Sequence, residues 1–472
     1  MTFFDSYILA ALAFLAPILV IYTVWRAIVS ARTPQGAAAW VVFLLAAPWF
    51  ALPSYLVFGR HKLKRYERTR RASRALAQDL DARTETPLPD EDRRTLYAPF
   101  EKLAGMRVLG GNDAALLIDG EETFAAIFEA IDAAKSYVCV QFYTIADDDL
   151  GGRLADRLIA AAERGVSVRV MYDGVGSYGL SAAYPERLRA AGVTILNPRK
   201  ARGPTKRFEV NFRNHRKTVV VDGNVGFIGG HNVSDLYMGK DAPGGHWRDT
   251  HIALSGPVVA QLQTVFFEDW HWATQERLDE VLDWSPAPRD ADLPALILPA
   301  GPTDEMDTAA MFFFTALSRA QSRVWIASPY FVPDEAILSA LKSAALRGCD
   351  VQLLLPRHVD HYLTWLAAHA YFDEVRAAGV TIHQYDRGFT HQKVVVMDDE
   401  MVAIGSANLD NRSFRLNFET MALVFDGALT AKVAAMLKDD FIDSTIVDTP
   451  LSEQPLYIRI GAPVARLLAP VL

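Results

Sequence analysis

The sequence predicts an α/β protein made of two similar tandem units related by a pseudo-twofold axis and preceded by a transmembrane helical hairpin. Three observations carry this: two long uncharged runs at the start, a heptapeptide repeated in the body, and a five-point motif that occurs twice with identical internal spacing.

In chain order the hairpin comes first. Tyr7–Trp25 is nineteen residues without a charge and Gly36–Gly59 is twenty-four more. A helix rising ~1.5 Å per residue crosses a ~30 Å hydrocarbon core in about 20 residues, so both runs qualify as spans. The start MTFFDSY lacks the basic n-region of a secretory signal. Next, GRHKLKRYERTRRASR sets eight Lys/Arg from Arg60 to Arg74 against the single Glu67, whereas only Arg26 and Arg32 flank the turn between the runs. The positive-inside rule puts this collar, and the body after it, on the cytoplasmic side. Such a collar is attracted to anionic lipid by about 1 kcal/mol per basic residue, although a solvated helix with no lipid preference has the same composition. Residues 1–59 are therefore expected to be the hairpin and 60–105 a basic linker.

The formal net charge of −8 averages two regions. Residues 1–75 carry ten basic side chains against Asp5 and Glu67, net +8, leaving 38 basic and 54 acidic residues, net −16. An acidic body is a poor partner for nucleic acid. With 51% apolar and 22% charged residues, disordered and low-complexity classes are excluded. Cys139 and Cys349, both in apolar stretches, read as buried thiols of a reducing compartment.

The body repeats itself. RAAGVTI stands at Arg189–Ile195 and again at Arg376–Ile382. YVCVQF and GVSVRVMYDG precede the first copy, with Leu150, Leu154, Leu158 and Ile159 at helical spacing between them; RVWIASPY and GCDVQLLLP precede the second, with Ile337, Leu338 and Leu341 between. Each half reads strand, helix, strand, helix, strand, which predicts largely parallel buried strands. The halves, 106–288 and 289–472, meet at the Pro- and Asp-rich SPAPRDADLP.

After each heptapeptide the same motif follows: His215-x-Lys217, Asp222, Gly229-Gly230-x-Asn232, and His391-x-Lys393, Asp398, Gly405-Ser406-x-Asn408. In the expected strands HRKTVVVD and HQKVVVMD, the period of two puts His and Lys on one face. Two such strands meeting at a pseudo-twofold axis bring two His, two Lys and two Asn around one point. Ammonium and amide donors suit the non-bridging oxygens of a phosphodiester as charge spreads in the transition state. Two imidazoles supply a nucleophile and a general acid. Asp249 in WRDTHIAL and Glu419 in NFETMALV are candidates to orient the imidazoles. Asp222 and Asp398, although members of the motif, fall at strand ends, where a structural role is expected.

The motif pair resembles that of the phospholipase D superfamily. The two spans, RTPQGAAAW, DGVGS, NFRNHRK, WRDTH and SANLDNRSF extend the likeness over essentially the whole chain, toward its bacterial cardiolipin synthases. The resemblance implies catalysis by His215, Lys217, Asp222, His391, Lys393 and Asp398, with phosphate held by Asn232 and Asn408. It implies phosphatidyl transfer between two phosphatidylglycerol molecules at the bacterial inner membrane. His215, held by Asp249, would attack phosphorus, and His391, held by Glu419, would protonate the leaving glycerol. The chain departs from symmetry at Gly230, opposite Ser406; only Ser406 offers the phosphate a hydroxyl. Related readings are phospholipid hydrolysis, exchange with another alcohol, a membrane-anchored nuclease and a non-catalytic scaffold.

Other signals are weaker. Gly174-x-Gly176-x-x-Gly179 mimics a dinucleotide fingerprint, but Asn197 and basic residues stand where the ribose-binding acid belongs, so a turn lining the site is expected. No GxxxxGK[ST] or HExxH occurs, and the pairs His358/His361 and His246/His251 lack a supporting cluster, so no metal and no cofactor is expected. The basic stretch Arg199–Lys217, longer by 11 residues than its counterpart, reads equally as a collar for headgroups and as a solvated loop. The aromatics of SPYFVPD and HYLTWLAAHAYF read as core more readily than as an acyl-chain entry.

Overall fold

The computed structural model describes residues 3–31, 34–58, 70, 73–76, 94–198 and 212–472; for 3–13, 57, 58, 94 and 471 it describes the backbone alone. The collar at 60–69 and the basic stretch at 199–211 thus lie outside the described residues. The chain forms two compact units, one over Met1–Ala72 and Thr205–Asn211 and one over Ser73–Pro204 and Phe212–Leu472.

In the first unit, helices Phe3–Ser30, Pro34–Ala46 and Pro48–Phe58 pack together through Ala27, Leu44, Ala51 and Tyr55. Ser30 Oγ lies 3.1 Å from Tyr55 Oη, and Trp40 meets Tyr55 edge-on. The second apolar run is divided at Ala47, since Pro48 starts a new helix with its fixed φ and missing N–H. Among the described residues no helix is both long enough and apolar enough to cross a membrane.

The second unit carries a 16-stranded sheet. In the first half its strands are β1 (Leu109–Ile118), β2 (Tyr137–Phe142), β3 (Ser167–Tyr172), β4 (Thr194–Leu196), β5 (Arg213–Asn214), β6 (Thr218–Val221), β7 (Val225–Gly229) and β9 (Thr250–Ser255), with the two-residue β8 (Trp247–Arg248) outside it. The second half adds β10 (Leu293–Ala300), β11 (Arg323–Ala327), β13 (Asp350–Pro356), β14 (Thr381–Tyr385), β16 (Val394–Met397), β17 (Met401–Gly405), β19 (Asn417–Val424) and β20 (Ser444–Ile446). Short strands β12 (Phe331–Val332), β15 (Phe389–Thr390) and β18 (Leu409–Asp410) lie apart.

The order is β20-β14-β13-β11-β16-β17-β19-β10-β1-β9-β7-β6-β2-β3-β4. Read outward from the antiparallel β1–β10 seam, the seven strands of the first half each have an equivalent at the same distance on the other side, as a pseudo-twofold requires, and the second half adds β20 at its edge. Along this order parallel pairing is confined to β2-β3-β4 and β11-β13-β14, and the eight strands between β2 and β11 pair antiparallel; the two-residue strands β5, β8 and β12 also pair in parallel, with β19, β15 and β18. The expectation of largely parallel strands therefore holds only for each half's outer part. The β-branched runs TVVV and VVVM form hairpins with the next strand, whose short loops need no crossover.

One core cluster draws side chains from both halves: Ile228 and Ile252 with Val396 and Ile404, covered by helices Val258–Thr274 and Gly427–Ile442. Separate clusters fill the opposite face of each half. Cys139 and Cys349 are both buried thiols, as expected.

Candidate active site

Two pairs of very short strands set the site. β5 runs parallel to the start of β19, and His215 N–H donates to Phe418 O at 2.9 Å. Its pseudo-symmetric counterpart is β8 alongside β15, where His391 N–H donates to Arg248 O at 2.8 Å. Each motif histidine is thereby stitched to the acid-bearing segment of the other half.

The orienting acids are consequently exchanged relative to the sequence reading. His215 Nδ1 lies 2.9 Å from Glu419 Oε2, and His391 Nδ1 lies 2.7 Å from Asp249 Oδ2. Asp249 does not hold His215, nor Glu419 His391. The histidines precede β6 and β16 rather than standing within them, which leaves their backbones free to make the inter-half bonds. A Nδ1–H donated to carboxylate leaves Nε2 as the free lone pair of each ring.

The two acids sit in different surroundings. Glu419 accepts from Ser406 Oγ (2.6 Å), Ser413 Oγ (2.9 Å) and Asn417 Nδ2 (3.1 Å) besides His215. Burial pushes its carboxyl up, but His215, Lys217 and Ser406 outweigh burial and hold it below its ordinary value. Asp249 accepts from the Thr250 N–H at 2.8 Å, and burial raises its carboxyl. Ser406 is thus turned onto Glu419 rather than offered to a phosphate. The equivalent Gly230 has no room for such a group, since a Cβ there would stand 2.0 Å from Asp249 Oδ1.

Lys217 and Lys393 are fully buried, and each ammonium hydrogen-bonds the carbonyl of its own motif histidine, Lys217 at 2.7 Å. Lys393 Nζ also lies 2.9 Å from His391 Nδ1. Burial pulls the Lys217 ammonium well below the usual lysine value and Lys393 down to about 8, against the raising influence of Glu419 and Asp249. His215 is pulled down to about 4, chiefly by burial. His391 is driven well below its ordinary value by burial, then by Lys393 and Lys217.

A cavity of about 900 Å³ opens over these groups, lined by His215, His391, Asn232 and Asn408, with Arg213, Arg412, Tyr143, Tyr237 and Trp247. Lys217 and Lys393 stand behind this wall rather than in it. Asn232 is held by the Thr144 N–H (3.1 Å) and Tyr237 Oη (2.5 Å), while Asn408 Oδ1 is buried with no hydrogen-bond partner among the described residues. Tyr143 meets His215 edge-on at 5.0 Å, and Trp247 packs 5.1 Å from His391. Sequence reading passed over Tyr143 and Tyr237; Trp247, Arg213 and Arg412 were visible only as parts of WRDTH, NFRNHRK and SANLDNRSF.

Asp222 and Asp398 do not join the site. Asp222 accepts the N–H groups of Lys135, Ser136 and Tyr137, each at 2.8 Å, and Asp398 those of Gln321, Ser322 and Arg323. Both take positive φ, 51° and 52°, in the turns after β6 and β16. Catalytic candidates by motif, they act as clamps on the segments that lead into β2 and β11.

The chain matches the family described as "Cardiolipin synthase, PLD-like domain" over residues 127–270 and 313–441. It is 47% identical over 457 residues, 95% of both chains, to cardiolipin synthase A of Pseudomonas syringae pv. syringae, and 45% identical to that of Pseudomonas fluorescens Pf-5 over 99% and 98% of the two chains. The chain belongs to the PLD-like cardiolipin synthase family. The fold is also that of phosphatidylserine synthase from Haemophilus influenzae, with a TM-score of 0.61 at 14% identity over 79% of this chain and 99% of that one.

The remaining sequence signals fall around the site of this cardiolipin synthase family member. Gly174 and Gly176 form a close-packed turn: a Cβ would lie 1.8 Å from Asn197 Nδ2 in the first case and 2.3 Å from Tyr143 O in the second. Gly176 lines the cavity. His246 pairs with Asp119 (2.9 Å), and His251 Nδ1 lies 3.1 Å from His231 Nδ1. Among the described residues no group of three or more His, Cys, Asp or Glu is arranged to hold a metal ion. The aromatic segments divide: Tyr330 and Tyr362 line the cavity, whereas Phe331, Tyr371 and Phe372 are core.

Proposed function

We propose that this chain is a cardiolipin synthase that transfers a phosphatidyl group from one phosphatidylglycerol to another, giving cardiolipin and glycerol through a phosphatidyl-histidine intermediate. The observation that carries this reading is the pair of imidazoles facing one cavity, each with Nδ1 on a buried carboxylate from the opposite half.

The phosphodiester binds between the two rings, with Asn232 and Asn408 as amide donors and the Lys217 and Lys393 charges beneath. Held neutral, His215 attacks phosphorus through Nε2, and the bond to the glycerol oxygen breaks. Glu419 stabilises the positive charge that the attacked ring acquires. In the resting site burial, reinforced by the two ammonium groups, keeps His391 neutral; the anionic phosphodiester offsets the ammonium charges, so His391 takes up a proton on binding. It donates that proton to the departing glycerol. The hydroxyl of a second phosphatidylglycerol then enters, gives its proton back to His391 and attacks phosphorus, which releases His215. One phosphodiester replaces another, so no external energy source is required. Water must be kept from the intermediate, or the product becomes phosphatidic acid.

The two uncharged runs and the basic collar support a multi-pass anchor in the bacterial inner membrane, with the body on the cytoplasmic side. The outward exposure of Phe14, Trp25, Trp49 and Phe50 on the N-terminal helices supports the same placement. Anionic lipid is then both surface and substrate.

Purified protein in mixed micelles with phosphatidylglycerol and EDTA tests the reading by mass spectrometry of products. Cardiolipin with free glycerol is expected, with loss of about 10³-fold or more in His215→Ala and in His391→Ala. Phosphatidic acid as sole product would overturn the synthase reading, and full loss in EDTA the metal-free mechanism.

A further inference from the structure

The last helix of the body, Leu456–Arg466, is apolar on two faces. Its inner face puts Ile458, Ala462 and Ala465 into the second-half core, and Gly461 lets it close on the helix Tyr362–Arg376, since a Cβ there would lie 2.8 Å from Leu366 Cδ2. Its outer face leaves Leu456, Ile460, Val464 and Leu467 exposed at 66%, 61%, 59% and 79%. At ~100° per residue these four fall within about 80° of arc, with Tyr457 and Leu468, also exposed, beside them. Soluble surfaces scatter large apolar residues singly; a continuous stripe of this kind has a partner.

The charge pattern selects that partner. From residue 456 to 472 the only charged side chains are Arg459 and Arg466, on a body that is otherwise net acidic. Arg466 lies over the Tyr371 ring at 4.4 Å, whereas Arg459 is exposed on the flank of the apolar stripe. An apolar stripe edged by arginine is the pattern of a helix lying in the headgroup–acyl boundary of an anionic membrane. The stripe is also continuous with the site. The helix it packs on begins with Tyr362 and Leu363, which are exposed and line the catalytic cavity, and Leu472 beyond it lines the same cavity.

We propose that this outer face is a membrane-docking surface that lies in an anionic bilayer and holds the cavity rim at Tyr362 and Leu363 against the lipid, so that substrate enters from the bilayer. The proposal rests on the reading of the chain as a phosphatidyltransferase.

The test uses the full chain. Both native cysteines are buried, so Ile460→Cys offers one accessible thiol for an environment-sensitive fluorophore. In vesicles of phosphatidylglycerol and phosphatidylcholine, the label is expected to blue-shift and to be quenched by spin-labelled acyl chains but not by aqueous iodide. Quenching by iodide instead, or disulfide cross-linking between two copies through position 460, overturns the proposal. In parallel, the double variant Ile460→Ser/Val464→Ser is expected to lose at least tenfold in turnover of phosphatidylglycerol in vesicles. Its turnover of a short-chain, monomerically dispersed phosphatidylglycerol should stay within twofold of the parent. Equal loss on both substrates overturns the docking role. If the unmodified chain forms no cardiolipin from either substrate yet the label is lipid-quenched, the docking surface stands and the enzymatic reading falls.

Discussion

His215 and Lys393 show how burial sets the working charges of the site. A histidine held down to about 4 is neutral over the whole physiological range, and a lysine held down to about 8 is charged at neutral pH but loses its proton soon above it. Only the charged lysine favours an anion, and anion binding carries a proton to His391, so the affinity of the resting protein for sulfate, whose own charge does not titrate in this range, should weaken by up to about tenfold per pH unit through neutrality. Above pH 8, where Lys393 also loses its proton, it should weaken more steeply, as seen by calorimetry; a slope unchanged across pH 8 would contradict it. The same titration at neutral pH, run in buffers of different ionisation enthalpy, should record proton uptake by the protein, because the anion offsets the ammonium charges that add to burial in keeping His391 neutral. The exchanged acid pairs have their own signature. Glu419→Gln should move the Nδ1 resonance of His215 and leave that of His391 nearly in place, with transfer falling by about 10³–10⁴-fold, the scale seen when an orienting carboxylate is made an amide. A larger shift at His391 than at His215 would refute the pairing.

At the scale of elements, the turns after β6 and β16 are the joints that hold the motif strands to β2 and β11. Asp222 gathers three main-chain amides with one carboxylate. Asp222→Ala should therefore cost about 2–4 kcal/mol of stability, by taking the shared acceptor from three main-chain donors, the Tyr137 N–H among them half-buried, and placing alanine at positive φ. Asp222→Asn, which keeps an acceptor and tolerates that φ, should cost less. Turnover per folded molecule should change little in either, measured with thermal melts beside the transfer assay; a catalytic aspartate would show the reverse. These strands and their spacing were legible in the sequence, because RAAGVTI and the motif recur in the same order in each half. The acid pairing was not. It depends on β5, β8 and β15, two-residue strands too short to leave a period, and a repeat does not say whether a segment lies against its own half or the other. Ser406 was misread for a similar reason: its hydroxyl suits a phosphate chemically, but its place opposite β19 turns it onto Glu419. The antiparallel centre escaped because a buried strand has the same apolar run whichever way its neighbour points.

At the scale of the whole body, the two halves are joined by more than the seam, and the joint is asymmetric. Arg248 of the first half donates from Nε and Nη2 to the two oxygens of Asp440 in the second, at 2.8 and 3.1 Å, and from Nη1 to Asp119 in its own half. Gln392, the residue between the second motif's His and Lys, bridges Asp440 (2.9 Å) to Thr250 of the first half (2.9 Å). Its counterpart Arg216 instead binds Asp269 in its own half at 2.7 Å, with Nε on the Glu419 carbonyl of the other. Arg248 thus ties the segment that carries His391's partner Asp249 to the helix Gly427–Ile442 of the other half. A buried pair broken from one side leaves an uncompensated charge and costs about 3–5 kcal/mol, while replacement by a similar-sized apolar group on both sides can be near neutral. Arg248→Ala should accordingly lower the melting temperature of the body far more than Arg248→Ala/Asp440→Leu does relative to Asp440→Leu alone. Since one core cluster and one sheet span both halves, calorimetry of the body's unfolding should record a single transition in every one of these variants. Two resolved transitions, one for each half, would mean that the halves are independent domains whose contact only completes the site.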